Sequence, residues 1–280
     1  MSAAQITLVD GIASAGISAN DRGLAFGDGL FETIAVINDT VLNWSRHYAR
    51  LRRGCDRLHI PQPDSAQLVS EARQVTAGQD RSVVKIIITR GPGGQGYTPP
   101  STPAPVRIVM RRPWPAEYAD KAAAGVVTGV AAHRLSKNPD LAGLKHLNRL
   151  DQVLASMEMQ AAGWDEALML TDDACVVEAT RSNVFAVFAD TLATPSLSNC
   201  GVSGVMRETI LARAPALGLR IEEADLSVDD LRRADELFLC NAIAGIWPVS
   251  SLVTDRRCAF PIGPVTNRLR ADLAAAALLP

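Results

Sequence analysis

Strand-like and helix-like stretches alternate from one end of this 280-residue chain to the other, and that alternation narrows its fold more than any other feature. Leu30–Ile37 (LFETIAVI) is dense in branched and aromatic residues and reads as a strand. After it, Trp44, Tyr48, Leu51, Cys55 and Leu58 recur at spacings of four, three, four and three, the apolar stripe of one amphipathic helix that Pro61 stops. Ser82–Thr89 (SVVKIIIT) and Val106–Met110 (VRIVM) suit buried strands, and the Gly/Pro-rich loop Gly91–Pro100 separates them. Further strands are expected near Val126–Ala131, Ala167–Leu170, Val184–Phe188 and Glu236–Leu239. They alternate with helices near Leu150–Ala161, Val205–Ala214 and Val265–Ala277. The pattern predicts an α/β chain of two domains. The proline-bearing stretch Arg112–Lys121 is the expected connection, which gives an N-terminal α/β domain over 1–112, a linker over 113–121 and a C-terminal α/β domain over 122–280.

Bulk chemistry removes several functions. The net charge is −2 with no long basic run, so a nucleic-acid partner is not expected. Cys55, Cys175, Cys200, Cys240 and Cys258 form no CxxC pair and are odd in number, which argues against a disulfide framework and a zinc site and for reduced thiols in the cytoplasm. The start MSAAQITLVDG lacks the basic and apolar regions of a signal peptide, and no apolar run reaches the roughly 18 residues of a membrane span. No metal site is expected.

Four segments could carry chemistry. In Gly143–Leu150 (GLKHLNRL), helical periodicity begins just beyond Lys145, with Leu150, Val153, Leu154, Met157 and Ala161. Asn148 can cap that helix, and Asp151 suits its positive end. Lys145 then occupies a constrained segment before a helix, as a catalytic amine requires, although on position alone a solvated loop lysine is the commoner reading. Glu178 ends an apolar strand within ACVVEATRSNVFAVF; it fits either a cationic ring partner or a salt bridge with Arg181. Gly201–Arg207 (GVSGVMR) carries a glycine turn into a helix, which is an anion cradle or an ordinary helix start. Arg46, Arg50, Arg53 and Arg57 flank the apolar face of the first helix, and one of them can turn inward to a phosphate. A lysine, a carboxylate, an arginine and a helix-start anion site together make the minimum set for pyridoxal 5′-phosphate (PLP).

In order along the chain, DRGLAFGDGLFET (Asp21–Thr33), HYARL (His47–Leu51), RGPGGQGY (Arg90–Tyr97), GLKHLNRL, VVEATRSNVF and SGVMRE closely resemble the fold-type IV, aminotransferase class IV-like PLP enzymes. That family includes branched-chain and D-amino acid aminotransferases and a lyase branch. The resemblance implies a two-domain α/β enzyme whose second domain binds PLP. It also implies a homodimer whose active site borrows a loop from the partner subunit. Residue by residue, Lys145 matches the Schiff-base lysine, Glu178 the carboxylate at the pyridine nitrogen and Arg50 a phosphate-binding arginine. Val205 and Met206, after Gly204, match the phosphate cup.

Within the family, AGLKHLNRLDQVL, the Pro-rich stretch after RGPGGQGY, and ADELFLCNAIAGIWPV are most similar to the lyase branch. Two departures stand out. Gln95 occupies a loop position where that branch usually has arginine, and Phe31 replaces a carboxylate-binding tyrosine of the D-amino acid aminotransferases, whose Arg-x-His pair is also missing here. The resemblance implies a small-molecule substrate with two carboxylates, for which Thr33, Arg90, Gln95, Tyr97, Arg149 and Asn241 are the candidate contacts. An aminotransferase on the same scaffold is the alternative, and a non-catalytic PLP-binding protein the remote one.

Overall fold

The computed structural model describes residues 6–13 and 16–280; Met1–Gln5, on which the signal-peptide expectation partly rests, lie outside the described residues. Contacts divide the chain into two units. One holds residues 1–115 and Leu144–Asn148, together with Pro280; the other holds Ala116–Gly143 and Arg149–Leu279.

In the first unit the elements are β1 (Thr7–Val9), β2 (Ile12–Ala13), α1 (Arg22–Phe26), β3 (Gly29–Ile37), β4 (Thr40–Val41), α2 (Trp44–Leu58), α3 (Ser65–Thr76), β5 (Arg81–Thr89) and β6 (Val106–Arg112). The described strands form one antiparallel sheet in the order β2-β1-β6-β5-β3-β4. Leu30, Ile34 and Val36 of β3 alternate onto a buried face, to which α2 turns Leu51 and Cys55. Gly54 makes that approach possible, because a Cβ there would lie 2.7 Å from the Leu30 side chain.

In the second unit the elements are α4 (Tyr118–Ala124), β7 (Val126–Leu135), α5 (Leu150–Ala162), β8 (Glu166–Thr171), β9 (Val176–Ala179), β10 (Asn183–Phe188), β11 (Thr191–Pro195), α6 (Val205–Arg213), β12 (Arg220–Ala224), α7 (Val228–Arg232), β13 (Glu236–Asn241), β14 (Gly245–Val253), β15 (Arg257–Ala259) and α8 (Pro264–Ala275). The sheet runs β12-β11-β10-β13-β14-β7-β8-β9, with β15 also on β14; the β11–β12, β14–β7 and β7–β8 pairs are parallel and the rest antiparallel. Its strands are apolar on both faces, as a covered sheet requires. Trp247, Leu168, Val184 and Leu239 pack on one side of it, and Phe185, Phe238, Met206 and Leu269 on the other.

Two local expectations are corrected. Asn148 does not cap α5: its amide donates to the Gly27 carbonyl at 3.2 Å, and Arg149 stands at the N-cap with no side-chain cap bond. The apolar stripe of α5 is real, but most of it faces outward. Leu150 is 77% and Met157 62% exposed, Val153 and Leu154 are also exposed, and only Ala155 of the helix is buried.

Candidate active site

In the first unit the site starts from the backbone of Leu144–Asn148. The Phe31 N–H donates to the Lys145 carbonyl at 2.9 Å, and the Leu147 N–H to the Gly29 carbonyl at 3.0 Å. This short antiparallel bridge to β3 fixes the direction in which Lys145 leaves the chain. Its Nζ comes to 4.4 Å from the centroid of the Phe31 ring, within cation–π range. Lys85 Nζ lies 4.8 Å from the same centroid. Lys85 sits opposite Thr33 in the β3–β5 register, and Phe31 opposite Ile87, so Phe31, Thr33 and Lys85 share one sheet face. Burial pushes the Lys85 pKa below its ordinary value, and Arg112 adds to the shift. Two amines on one aromatic ring make this face an anion-attracting surface.

The other face of β3 carries Glu32 in phase with Leu30 and Ile34, so a carboxylate enters the core beneath α2. Arg50 answers it with a fork: Nε donates at 2.9 Å to Oε1 and Nη2 at 2.5 Å to Oε2. His47 Nδ1 lies 2.6 Å from Oε2. Burial alone would raise the Glu32 pKa, but Arg50 and the His47 hydrogen bond overcome it and hold the group at about 2. Burial pushes the His47 pKa below its ordinary value, and the charges of Arg50 and Lys145 push the same way, so the ring is neutral at pH 7. Because an ionised carboxylate only accepts, the proton of that neutral ring sits on Nδ1. Of the five arginines of α2, Arg50 alone is buried; Arg52, Arg53 and Arg57 are exposed.

In the second unit the β9–β10 turn, the Gly201–Gly204 turn and α6 form a compact polar cluster. Glu178 Oε2 accepts from the Val202 N–H at 2.8 Å, and Oε1 from the Gln152 amide at 3.2 Å. Arg181, the alternative partner from sequence, instead pairs with Glu166 at 3.4 Å. Asn183 Nδ2 donates to the Val202 carbonyl at 2.9 Å. Gly204 stands at the N-cap of α6 with no side-chain cap bond, so the N–H groups of the first turn at Val205 and Met206 are not taken up by a capping side chain. A Cβ on Gly204 would fall 2.0 Å from Asn183 Oδ1, so the cradle is open only to glycine. Asn241 Nδ2 donates to Ser182 Oγ at 3.1 Å, while its Oδ1 accepts from the N–H groups of Ile243 and Ala244 at 2.9 and 2.7 Å.

Each unit thus gathers part of the expected set. In the first unit Phe31, Thr33 and the Lys145 amine share one face of β3, while Arg50 is buried with Glu32 on the other; Glu178, Gly204, Val205, Met206 and Asn241 belong to the second unit, where Arg149 stands at the start of α5. Gln95 and Tyr97 are exposed on the glycine-rich loop. Arg90 is buried: Nε and Nη2 donate to Asp28 at 2.7 and 2.9 Å, and the guanidinium also reaches the carbonyls of His59 and Leu58. Sequence reading passed over Glu32, His47, Lys85, Gln152 and Asn183. For Glu32 a signal exists, a carboxylate in phase with the apolar residues of a strand.

Residues 29–252 match the amino-transferase class IV family. The chain is 35% identical to an aminodeoxychorismate lyase of Vibrio harveyi over 266 residues, 95% of this chain and 98% of that protein. The crystal structure of 4-amino-4-deoxychorismate lyase from Pseudomonas aeruginosa superposes with a TM-score of 0.91 at 44% identity, covering 98% of this chain and 100% of that one. The branched-chain amino acid aminotransferase of Escherichia coli shares the fold, with a TM-score of 0.85 at 24% identity over 99% of this chain and 96% of that one.

Proposed function

Because the chain belongs to the amino-transferase class IV family, we propose that it is a PLP-dependent lyase that converts 4-amino-4-deoxychorismate to 4-aminobenzoate and pyruvate, a step toward folate. The observation that carries this reading is the full-length likeness to two such lyases in a chain that keeps the anchoring amine, the carboxylate and the anion cradle. PLP fits the residues present. Lys145 supplies an amine aimed by its backbone, Glu178 a carboxylate held by two donors, and the α6 start a helix N-terminus whose N-cap glycine leaves its first N–H groups without a capping side chain.

Lys145 would hold the aldehyde, Glu178 the ring nitrogen, and Arg50 with the Val205 and Met206 N–H groups the phosphate. When bound, the cofactor supplies an electron sink for the carbon that bears the substrate amine. Glu178 would keep that ring nitrogen protonated. With its amine free, Lys145 would take the proton from that carbon at its Nζ. The enolpyruvyl ether bond would break as the substrate ring becomes aromatic, which drives the elimination forward, and the departing enolate would take up a proton, equivalent to the one Lys145 removed, to become pyruvate. Lys85 makes the Phe31 face attractive to a carboxylate, and Thr33 opposite it offers a hydroxyl.

The same reading includes a homodimer, with the Arg90–Tyr97 loop contributed by the second copy. The exposed stripe Leu150, Val153, Leu154 and Met157 supports it, because an apolar helix face of this length calls for a partner. A cytoplasmic location accompanies the reading, and among the described residues no helix is long and apolar enough to cross a membrane. The test is formation of 4-aminobenzoate and pyruvate from 4-amino-4-deoxychorismate, run beside amino-group transfer to 2-oxoglutarate. Transfer from a branched-chain or D-amino acid with no 4-aminobenzoate would replace the lyase by an aminotransferase. Lys145→Ala abolishes turnover, and borohydride trapping of the cofactor on another lysine would refute its assignment.

A further inference from the structure

The segment Asp21–Thr33 gives Phe31, Glu32 and Thr33 to the site, but its first residues serve another end. Arg22 is 5% exposed. Its Nε donates to Asp28 Oδ2 at 2.9 Å, and Nη2 to the Tyr97 carbonyl at 3.0 Å. Nη1 donates to the Gly96 carbonyl at 2.9 Å and reaches those of Gly93 and Thr98 at 3.4 Å each. Its backbone N–H meets the Gly91 carbonyl at 3.2 Å. One guanidinium therefore gathers four carbonyls of a single loop.

That loop has few other restraints. Gly91, Gly93, Gly94 and Gly96 all have positive φ, and residues 92–99 are exposed. Gln95 and Thr98 exchange two backbone hydrogen bonds at 3.1 Å. The Tyr97 ring lies 5.3 Å from that of Phe26, over which the Arg22 guanidinium also sits at 4.9 Å. At the loop's entry, Thr89 Oγ1 donates to Asp21 Oδ2 at 2.8 Å and accepts from the Gly91 N–H at 3.0 Å.

We propose that Arg22 is a positioning residue for the enzyme's substrate loop: its guanidinium sets the shape of Gly91–Thr98 and thereby aims Gln95 and Tyr97. The part that concerns substrate rests on the lyase reading above. A planar fork with five donors can address carbonyls spread around it, whereas the single nitrogen of lysine cannot. Neutralising Asp28 is not the main task, since Arg90 also pairs with it.

Arg22→Lys is the primary variant, because it keeps the charge and the fold; Arg22→Met accompanies it. Two readouts separate the layers. Chymotryptic cleavage after Tyr97 is expected to quicken in both variants while their thermal midpoints stay close to wild type. In the lyase assay, KM for 4-amino-4-deoxychorismate is expected to rise about tenfold with kcat within about twofold, the mark of lost binding rather than lost chemistry. Gln95→Arg, which restores the arginine usual in the lyase branch, is expected to lower KM by adding a charge-assisted contact, and that gain should vanish in Arg22→Lys. Wild-type cleavage rates in Arg22→Lys would overturn the proposal. Faster cleavage with unchanged KM would overturn the substrate half and leave the reaction intact. If the wild-type enzyme forms no 4-aminobenzoate, the reading of the reaction fails, and cleavage alone still decides what Arg22 holds.

Discussion

Glu32→Gln leaves the Arg50 guanidinium buried and facing a neutral amide in place of a carboxylate. In the native chain that carboxylate receives two arginine donors at 2.9 and 2.5 Å and His47 Nδ1 at 2.6 Å, all shielded from water. The fall in its pKa from 4.5 to about 2 measures how strongly the fold prefers the ionised form. At about 1.36 kcal/mol per unit, this is about 3 kcal/mol, and the group is buried enough that solvent screening removes little of it. Leaving one member of a buried pair alone costs about 3–5 kcal/mol, the same range. Urea unfolding of the apoenzyme at pH 7 should therefore show Glu32→Gln less stable by about 3 kcal/mol.

The pH dependence has a definite sign. A carboxylate with a depressed folded pKa contributes its stability above the unfolded value of 4.5 and loses it as pH falls toward about 2. His47 titrates in another window. Its lowered folded pKa means the unfolded chain takes up the proton first, so stability begins to decline just below 6.5. The gap between wild type and Glu32→Gln should hold steady at neutral pH and close only in the acid range below 4.5. Equal urea stability of the two proteins at pH 7 would refute the claim that Arg50 depends on Glu32 for its buried position.

Other consequences can be checked with single substitutions. Glu178→Gln should cost lyase activity by orders of magnitude with the fold kept, each factor of ten corresponding to about 1.4 kcal/mol; near wild-type turnover would reduce Glu178 to a structural role. Arg50→Ala should lose PLP on gel filtration faster than Arg46→Ala, Arg53→Ala or Arg57→Ala, and equal retention in all four would assign phosphate binding to the backbone alone. Leu154→Glu should convert a dimer to a monomer in analytical ultracentrifugation, because it places a charge within the exposed stripe of α5; an unchanged dimer would move the interface elsewhere.

Local periodicity made most elements legible. The branched runs of β3 and β5 and the stripe of α2 carry their own signal, and their ends fall within a residue or so of expectation. β14 was missed because Pro248 interrupts its apolar run; beside that proline the pairing with β7 shifts register between Val249 and Ser251. Periodicity found α5 but could not say which way the stripe faced, since a helix read alone does not reveal what covers it. At the site, the types and order of Lys145, Glu178 and Arg50 were readable. Partnerships between distant residues were not. Arg90 was read as a cation for substrate, whereas Asp28 and the carbonyls of Leu58 and His59 hold it. Lys85 was passed over because it is one charge in an apolar strand, and only the register with β3 brings it to Phe31.

The missing Cβ at position 204 links features that a list of contacts would keep apart. Asn183 Oδ1 occupies the space that any larger residue there would need, and the same amide holds the Val202 carbonyl, while the Val202 N–H holds Glu178. A methyl group at 204 would push on Asn183, loosen the 201–204 turn and reach the carboxylate at one remove. The start of α6 and the Glu178 carboxylate cannot drift independently through substitution. A descendant of this chain that reshapes the start of α6 must also renegotiate the position of Glu178, so variation in this unit is channelled toward residues outside that turn.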